Sequence, residues 1–270
     1  MVIGIDVGGT YTKVGLWNED DLIQWYRQPT PRNVAKFSDL VGEIVHRTSQ
    51  ETSVRGVGIG IPGVYDFRTE KITAPNLGWF ALPKDTVFRD SRIPVFFGND
   101  ANLAALGEFV YGTGRSRDPF VLLTIGTGIG MGIIVNGDIM AGFSGRAGEL
   151  SHVMLEEKGP LCHCGERGCV EKYCTVNAVN AEDVGDNGCF SEGFAANLRR
   201  TVDMVQKLFD PEIIAVGGGF SEMNHARSLL NSLQFNTENR TARAPHLELA
   251  HLRNRAGMIG AALLANRTIA

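Results

Sequence analysis

Ile5 to Asp20 reads IDVGGTYTKVGLWNED, and Thr124 to Asp138 reads TIGTGIGMGIIVNGD. Each runs from an apolar strand pattern through a glycine-rich turn into a second strand pattern, and each ends on a polar turn. The shared plan makes a two-copy internal repeat of low residue identity, although either copy alone is also what a generic glycine-turn hairpin looks like. Outward from the first copy, Phe37, Leu40, Val41, Ile44 and Val45 form a helical stripe, and Val54 to Ile61 reads as a buried strand. A Pro-rich polar passage covers Thr73 to Pro83, and a strand at Pro94 to Gly98 runs into Asn99-Asp100 and a helix at Ala101 to Val110. Outward from the second copy come a helix at Ala195 to Leu208 and a strand at Ile213 to Val216 ending in Gly217-Gly218-Gly219. Ser221 to Thr241 reads as one further helix with polar turns. A strand follows at Leu247 to Leu252, and then a small-residue helix at Ala256 to Ala265. Two strand–turn–strand halves with interleaved helices predict an α/β protein of two lobes with a cleft. Gly114 to Pro119 reads as a linker, which puts an N-terminal lobe at 1–116 and a C-terminal lobe at 117–252.

At 270 residues, 43% of them hydrophobic and 21% charged, the chain has core enough for one large or two medium globular domains. A net charge of −4 gives no electrostatic footprint for nucleic acid or an anionic membrane. No apolar run reaches the roughly 18 residues of a membrane span. Neither kind of partner is expected. The opening MVIGIDVGGT enters strand pattern directly and reads as carrying no secretory leader. The cysteines, most of them in one metal-like cluster, fit a reducing cytoplasm better than a disulfide framework. Cys174 and Cys189 are left over as ordinary thiols.

A glycine-rich turn after a strand aims successive backbone N–H groups into one space, where they can hold an anion. Gly8-Gly9-Thr10 and Gly126-Thr127-Gly128 are two such turns, one in each half. Facing each other they would hold a polyphosphate from both sides, with hydroxyls from Thr10 and Thr127 and positive charge from Lys13. Asp6 stands just before the first turn, where it would steer a water-bound Mg2+. Neither turn has the spacing of a P-loop. Gly217 to Gly219 is a further place where backbone approaches something closely.

Gly145 to Glu171 reads GRAGELSHVMLEEKGPLCHCGERGCVE. Cys162, Cys164 and Cys169, with His152 upstream, are the three thiols and one imidazole of a closed tetrahedral zinc site. Buried free cysteines would not cluster between glycines and charges such as Glu166 and Arg167. Gly165 and Gly168 lie where a chain folding back on a metal needs positive φ. His163 is the rival fourth ligand, but both its neighbours would already be ligands, which favours His152. The loop so braced fixes Glu149 and Glu171, two acceptors suited to a ligand made of hydroxyl groups. The phosphate turns and the Glu171 carboxylate are expected in separate parts of the cleft.

Asp100 ends an apolar strand and starts a helix, a position from which a side chain projects into a cleft. Phosphoryl transfer to an alcohol needs positioning and one carboxylate to take the hydroxyl proton, and Asp100 is the candidate. Asn99 and Asp100 are equally good helix caps, and capping alone would explain either.

Together, DVGGTYTK, PNLGW, GNDANLAALGE, GTGIGMGI, GELSH, CHCGERGCVE, DPEIIAVGGG and AGMIGAALLA resemble, in order and over nearly the whole chain, the ROK family of repressors, open reading frames and sugar kinases. The resemblance implies a two-lobed actin-like/hexokinase fold of duplicated ribonuclease-H-like sheets, with a structural zinc loop and a last helix, 253–270, joining the first lobe. It implies Asp100 as catalytic base, and Asn76, Asn99, Glu149, His152 and Glu171 as sugar contacts, with His152 also on the zinc. Asp6 to Lys13 and Gly126 to Ile133, Gly130 included, match its phosphate-binding stretches, and Gly217, Gly218 and Gly219 its adenosine side. ATP, Mg2+ and structural Zn2+ are the implied cofactors, and a homodimer is the family's habit. Ser151 stands where the family has Gly, and the stretch after Glu171 is short, which puts the adenine pocket wall and the dimer surface in question.

The resemblance implies an ATP-dependent hexose 6-kinase, with glucose favoured because Glu149 agrees with glucokinases. N-acetylglucosamine or N-acetylmannosamine is the alternative sugar. A sugar-responsive regulator lacking its DNA-binding part and a zinc-braced binding protein without catalysis are readings from other classes. Retention of Asp100 with both phosphate turns favours the kinase.

Overall fold

In the computed structural model, residues 1–18, 21–88, 92–176, 190–233 and 246–269 are described. Cys189 and much of the short stretch after Glu171 lie outside them. Two compact units divide the chain. Unit 1 is Met1–Gly107, Ala141–Ala147 and Arg255–Ala270, and unit 2 is Glu108–Met140 and Gly148–Asn254.

Unit 1 is built on strands β1 (Val2–Val7), β2 (Tyr11–Asn18), β3 (Asp21–Pro29), β4 (Gly56–Ile61), β5 (Val64–Asp66), β6 (Lys71–Ala74), β7 (Trp79–Pro83) and β8 (Val95–Asn99). Its helices are α1 (Val34–Glu51), the single turn α2 (Lys84–Val87), the first two turns of α3 (Asp100–Tyr111), and α6 (Ala256–Ile269). The main sheet has the order β3-β2-β1-β4-β8, antiparallel through β3-β2-β1 and parallel through β1-β4-β8. β1 and β4 are buried along their whole length, as strands covered on both faces should be. α1 covers one face with Phe37, Val41, Ile44 and Val45. Asn33 caps its start by accepting the Lys36 N–H at 3.1 Å.

α6 covers the other face, and it does so at backbone distance. A Cβ on Gly4 would lie 2.0 Å from the Met258 carbonyl oxygen, and one on Gly58 1.8 Å from that of Ala261. Glycine in the sheet and small residues in AGMIGAALLA are therefore one packing solution seen from two sides.

The Pro-rich passage folds as strand, 3-10 turn and strand. β5, β6 and β7 form a three-stranded antiparallel sheet that contributes Trp79 to the unit 1 core. Trp79 meets Phe37 edge-on at 5.2 Å between ring centroids and donates its indole N–H to the Arg32 carbonyl at 3.1 Å. A buried aromatic of this size is worth roughly 3–5 kcal/mol against alanine, enough to hold short strands in place.

Unit 2 repeats the plan. β9 (Phe120–Ile125), β10 (Ile129–Val135), β11 (Asp138–Ile139), β12 (Ile213–Gly217) and β13 (His246–Leu249) make a sheet of order β11-β10-β9-β12-β13. It too is antiparallel on one side of its first strand and parallel on the other. α4 (Glu192–Phe209) packs Phe194, Leu198, Val202 and Val205 into its core, and α5 (Ala226–Leu233) adds Leu229, Leu230 and Leu233. The units divide at Gly107/Glu108, within α3, rather than inside Gly114 to Pro119. The last turn of α3 belongs to unit 2 because Phe109 packs on Phe120 and the fully buried Glu108 carboxylate accepts backbone N–H groups of Thr113, His251 and Leu252. Among the described residues no helix is long and apolar enough to cross a membrane.

Candidate active site

The parallel strands of unit 1 place their carboxyl ends side by side, where ligands of open α/β sheets bind. Asp6 is next to last in β1 and pairs in register with Gly60 of β4, while Ile61 pairs with Asn99 at the end of β8. Gly60 lets α3 sit close on the sheet: a Cβ there would be 3.2 Å from Leu103 Cδ1 and 3.7 Å from the Asp100 Cα. Asp6 is 8% exposed, and its Oδ2 is held at 2.9 Å by Lys13 Nζ, its register partner across β1–β2. The Gly8–Thr10 turn is closed by the Gly8 N–H donating to Tyr11 O at 3.1 Å and by Thr30 Oγ1 donating to Gly8 O at 2.7 Å. Thr10 and Gly9 are exposed at its tip.

Two adjacent residues start α3, and the structure separates their jobs. Asn99 Oδ1 accepts the Asn102 N–H at 3.0 Å and its amide donates to the Gly63 carbonyl at 2.9 Å. The helix cap is thus Asn99. Asp100 Oδ1 accepts the neighbouring Ala101 N–H at 2.8 Å. Asn76 is exposed on the 3-10 turn Pro75–Leu77, which Leu77 anchors in the core.

In unit 2 four of the predicted stretches come together. The Gly126–Gly128 turn closes with the Gly126 N–H donating to Gly128 O at 2.8 Å, and Val176 N–H reaches Gly126 O at 2.8 Å. Gly219 lies beside it, 3.9 Å from the Gly126 Cα to where its own Cβ would be. Gly218, at φ 74°, approaches the Ile125 carbonyl so closely that a Cβ would lie 2.5 Å away. Thr127 stands at the turn's tip, and Gly130 is in β10 opposite Thr124. Glu171 is on this same turn's flank: its Oε2 is 3.9 Å from the Cβ position of Gly128. The expected separation of the Glu171 carboxylate from the phosphate turns therefore does not hold in unit 2. The reason is local, because the chain leaving Glu171 returns to Gly126 through Val176.

Glu149 precedes the 3-10 turn Leu150–His152 and is exposed, with no side-chain hydrogen bond or ion pair among the described residues. His152 ends that turn. A tight hairpin follows, in which Cys162 N–H donates to Glu166 O at 2.7 Å and Gly168 N–H to Pro160 O at 2.9 Å. Gly165 and Gly168 have φ of 97° and 66°, as a chain doubling back requires. One donor atom from each of His152, Cys162, Cys164 and Cys169 lies within 4.8 Å of all the others. A zinc ion with bonds of about 2.3 Å to sulfur needs tetrahedral edges of about 3.8 Å. The Cys164–Cys169 sulfurs are 3.6 Å apart, and Cys162 Sγ is 3.9 Å from His152 Nδ1. This donor set fits zinc.

His163 Nδ1 is also 3.8 Å from Cys162 Sγ, but it is 3.1 Å from Glu171 Oε1, and His152, His163 and Glu171 form a second group of possible ligands. That contact was not visible in the sequence. Cys174 is fully buried against Thr201, and burial pushes its thiol up to about 11, so it stays protonated and inert.

Two sheets of one strand order, each opening with a strand, a glycine turn and a strand, define the duplicated ribonuclease-H-like fold of the actin-like and hexokinase class. The ROK family model matches residues 2–188 and 188–268, so the chain belongs to the ROK family. Glucokinase from Halalkalibacterium halodurans is 29% identical, over 98% of this chain and 94% of that protein. Glucokinase from Thermotoga maritima is 32% identical over 82% of each, and N-acetylmannosamine kinase from Vibrio cholerae is 32% identical over 80% of this chain and 83% of that one. A crystal structure of a ROK family glucokinase from Streptomyces griseus in complex with glucose and AMPPNP superposes with a TM-score of 0.80 at 29% identity, covering 98% and 99% of the two chains.

Proposed function

We propose that the protein is an ATP-dependent hexose kinase acting on the 6-hydroxyl, with glucose as its sugar and an N-acetylhexosamine as the alternative. One observation carries the reading: Glu171, suited to sugar hydroxyls, lies against Gly128 of a phosphate-type turn. An acceptor for hydroxyls beside a cradle for phosphate is what transfer from a nucleotide to a sugar requires. Relatives and a ligand-bound neighbour with glucokinase names support the same assignment.

In this reading Asp100 takes the proton of the attacking hydroxyl, since Asn99 already caps the helix. Asn76, Asn99, Glu149, His152 and Glu171 orient the sugar by its hydroxyls. The Gly8–Thr10 and Gly126–Gly128 turns, with Thr10, Thr127 and Lys13, hold the phosphates, Gly130 leaves room beside them, and Gly217–Gly219 receives the adenosine. Asp6, with one oxygen engaged by Lys13, would order water around a Mg2+ that neutralises phosphate charge. Zinc on His152, Cys162, Cys164 and Cys169 would supply rigidity and no reaction step. The two units are taken to be the two lobes, and the kinase to work in the cytoplasm. Its association as a homodimer is supported by Val153, Met154 and Leu208, which stand exposed near a groove of about 410 Å3 on α4.

A coupled ADP-release assay across glucose, mannose, fructose, allose, N-acetylglucosamine and N-acetylmannosamine tests the function. Glucose should give the highest kcat/KM. Transfer to no sugar in the set would remove the kinase reading in favour of a regulator or binding protein.

A further inference from the structure

Glu171 has three side-chain torsions and sits in the 3-10 turn Val170–Lys172 directly after Cys169. The metal loop fixes its backbone, since Lys172 N–H donates to Cys169 O at 2.9 Å, but nothing in that bond aims the carboxylate. A long acidic side chain left to itself spreads over several rotamers, and ordering it for a ligand costs affinity.

His163 supplies the missing restraint. It lies between Cys162 and Cys164, and its ring, 62% exposed, sits at the edge of the donor cluster, with Nδ1 3.8 Å from Cys162 Sγ but closer, at 3.1 Å, to Glu171 Oε1. Its ring stands edge-on to His152 at 5.2 Å, so it is walled on one side by the metal loop and on the other by the carboxylate. With Nδ1–H donating to Oε1, the second oxygen, Oε2, is the one facing Gly128. The hydrogen bond thus fixes the orientation of the carboxylate, with one oxygen held at the loop and the other turned to the Gly126–Gly128 turn.

We propose that His163 is a positioning residue for the sugar: it is the buttress that orients Glu171, and it is not the fourth zinc ligand. The inference rests on Glu171 being a sugar contact. A hydrogen bond from an exposed ring to a carboxylate supports a loss of about three- to five-fold in sugar affinity on removal. The amide nitrogen of an asparagine occupies nearly the place of Nδ1 and can make the same bond.

Kinetics and zinc content of purified wild type, His163→Ala, His163→Asn and Glu171→Gln test it together. Expected are one zinc in every variant, a sugar KM raised about three- to five-fold in His163→Ala with kcat nearly unchanged, and recovery to within about two-fold in His163→Asn. Loss of zinc in His163→Ala would make the residue a metal ligand and overturn the proposal. An unchanged sugar KM in His163→Ala beside a raised one in Glu171→Gln would overturn it while leaving Glu171 as a sugar contact. A silent Glu171→Gln would remove both.

Discussion

Gly257 in α6 stands directly against the Asp6 carboxylate: a methyl at Gly257 would come within 2.7 Å of Asp6 Cγ and 2.9 Å of its Oδ2. Since Oδ2 is also the oxygen that Lys13 holds, the last helix reaches one end of the candidate phosphate site through a missing side chain.

Gly257→Ala should therefore act on catalysis more than on stability. Overpacking costs about 1–3 kcal/mol, while alanine regains about 1 kcal/mol of helix propensity. The melting temperature should fall by a few degrees, and the KM for ATP should rise as Asp6 and Lys13 are displaced. A melting curve and an ATP titration that both match wild type would mean that Asp6 has room to move.

Asp100→Asn should abolish transfer and leave the unfolding free energy within about 0.5 kcal/mol of wild type, because the helix keeps its cap. Loss of a general base typically lowers kcat by about 10²–10⁴-fold. Asn99→Ala is the counterpart, losing about 0.5–2 kcal/mol with its cap. The reverse pattern, with Asp100→Asn unstable and active, would make Asp100 structural.

Glu171→Gln should move the two substrates in opposite directions. Losing a charged acceptor for sugar hydroxyls is worth about 1.5–3 kcal/mol, or a sugar KM raised about ten-fold or more. The same change removes a negative charge beside the Gly126–Gly128 turn, so the KM for ATP should fall, by about two-fold after solvent screening. Initial-rate kinetics at varied sugar and ATP check both signs. ATP affinity that worsens along with that of sugar would show that the turn itself was disturbed.

Purified protein should carry one zinc per chain, read by metal analysis. Chelation should weaken sugar binding more than nucleotide binding, because Glu149, His152 and Glu171 hang on the metal loop whereas Gly217–Gly219 does not. Calorimetric titration of sugar and of a nucleotide analogue into metal-free protein measures the difference. Equal losses for both ligands would make the loop a general scaffold.

The parts of the molecule written in local pattern were legible. β1–β2 and β9–β10 are strand, glycine turn and strand in both sequence and structure, and the cysteine spacing places four donors around one point. The β5–β7 sheet was not, because its strands are short, Glu70 takes a left-handed φ of 53° in a β5–β6 turn without glycine, and Ala81 takes one of 50° within β7. Asn99 and Asp100 illustrate a different limit. Both are capping residue types at adjacent positions, and only the N–H of Asn102 shows which one is used. The pairs Glu171–Gly128 and His163–Glu171 depend on how a loop folds back, which residue spacing does not encode.

The intimate seating of α6 on Gly4 and Gly58 also bears on how this chain is made. Unit 1 begins with the first strand, yet the part of its sheet around Gly4 and Gly58 has no helix over it until synthesis has passed through all of unit 2 and reached Ala256. A nascent chain of this design carries an open, glycine-grooved apolar face for most of its time on the ribosome. Its earliest segment is therefore the last to become native, and a chain stopped short of α6 offers that face to chaperones and proteases.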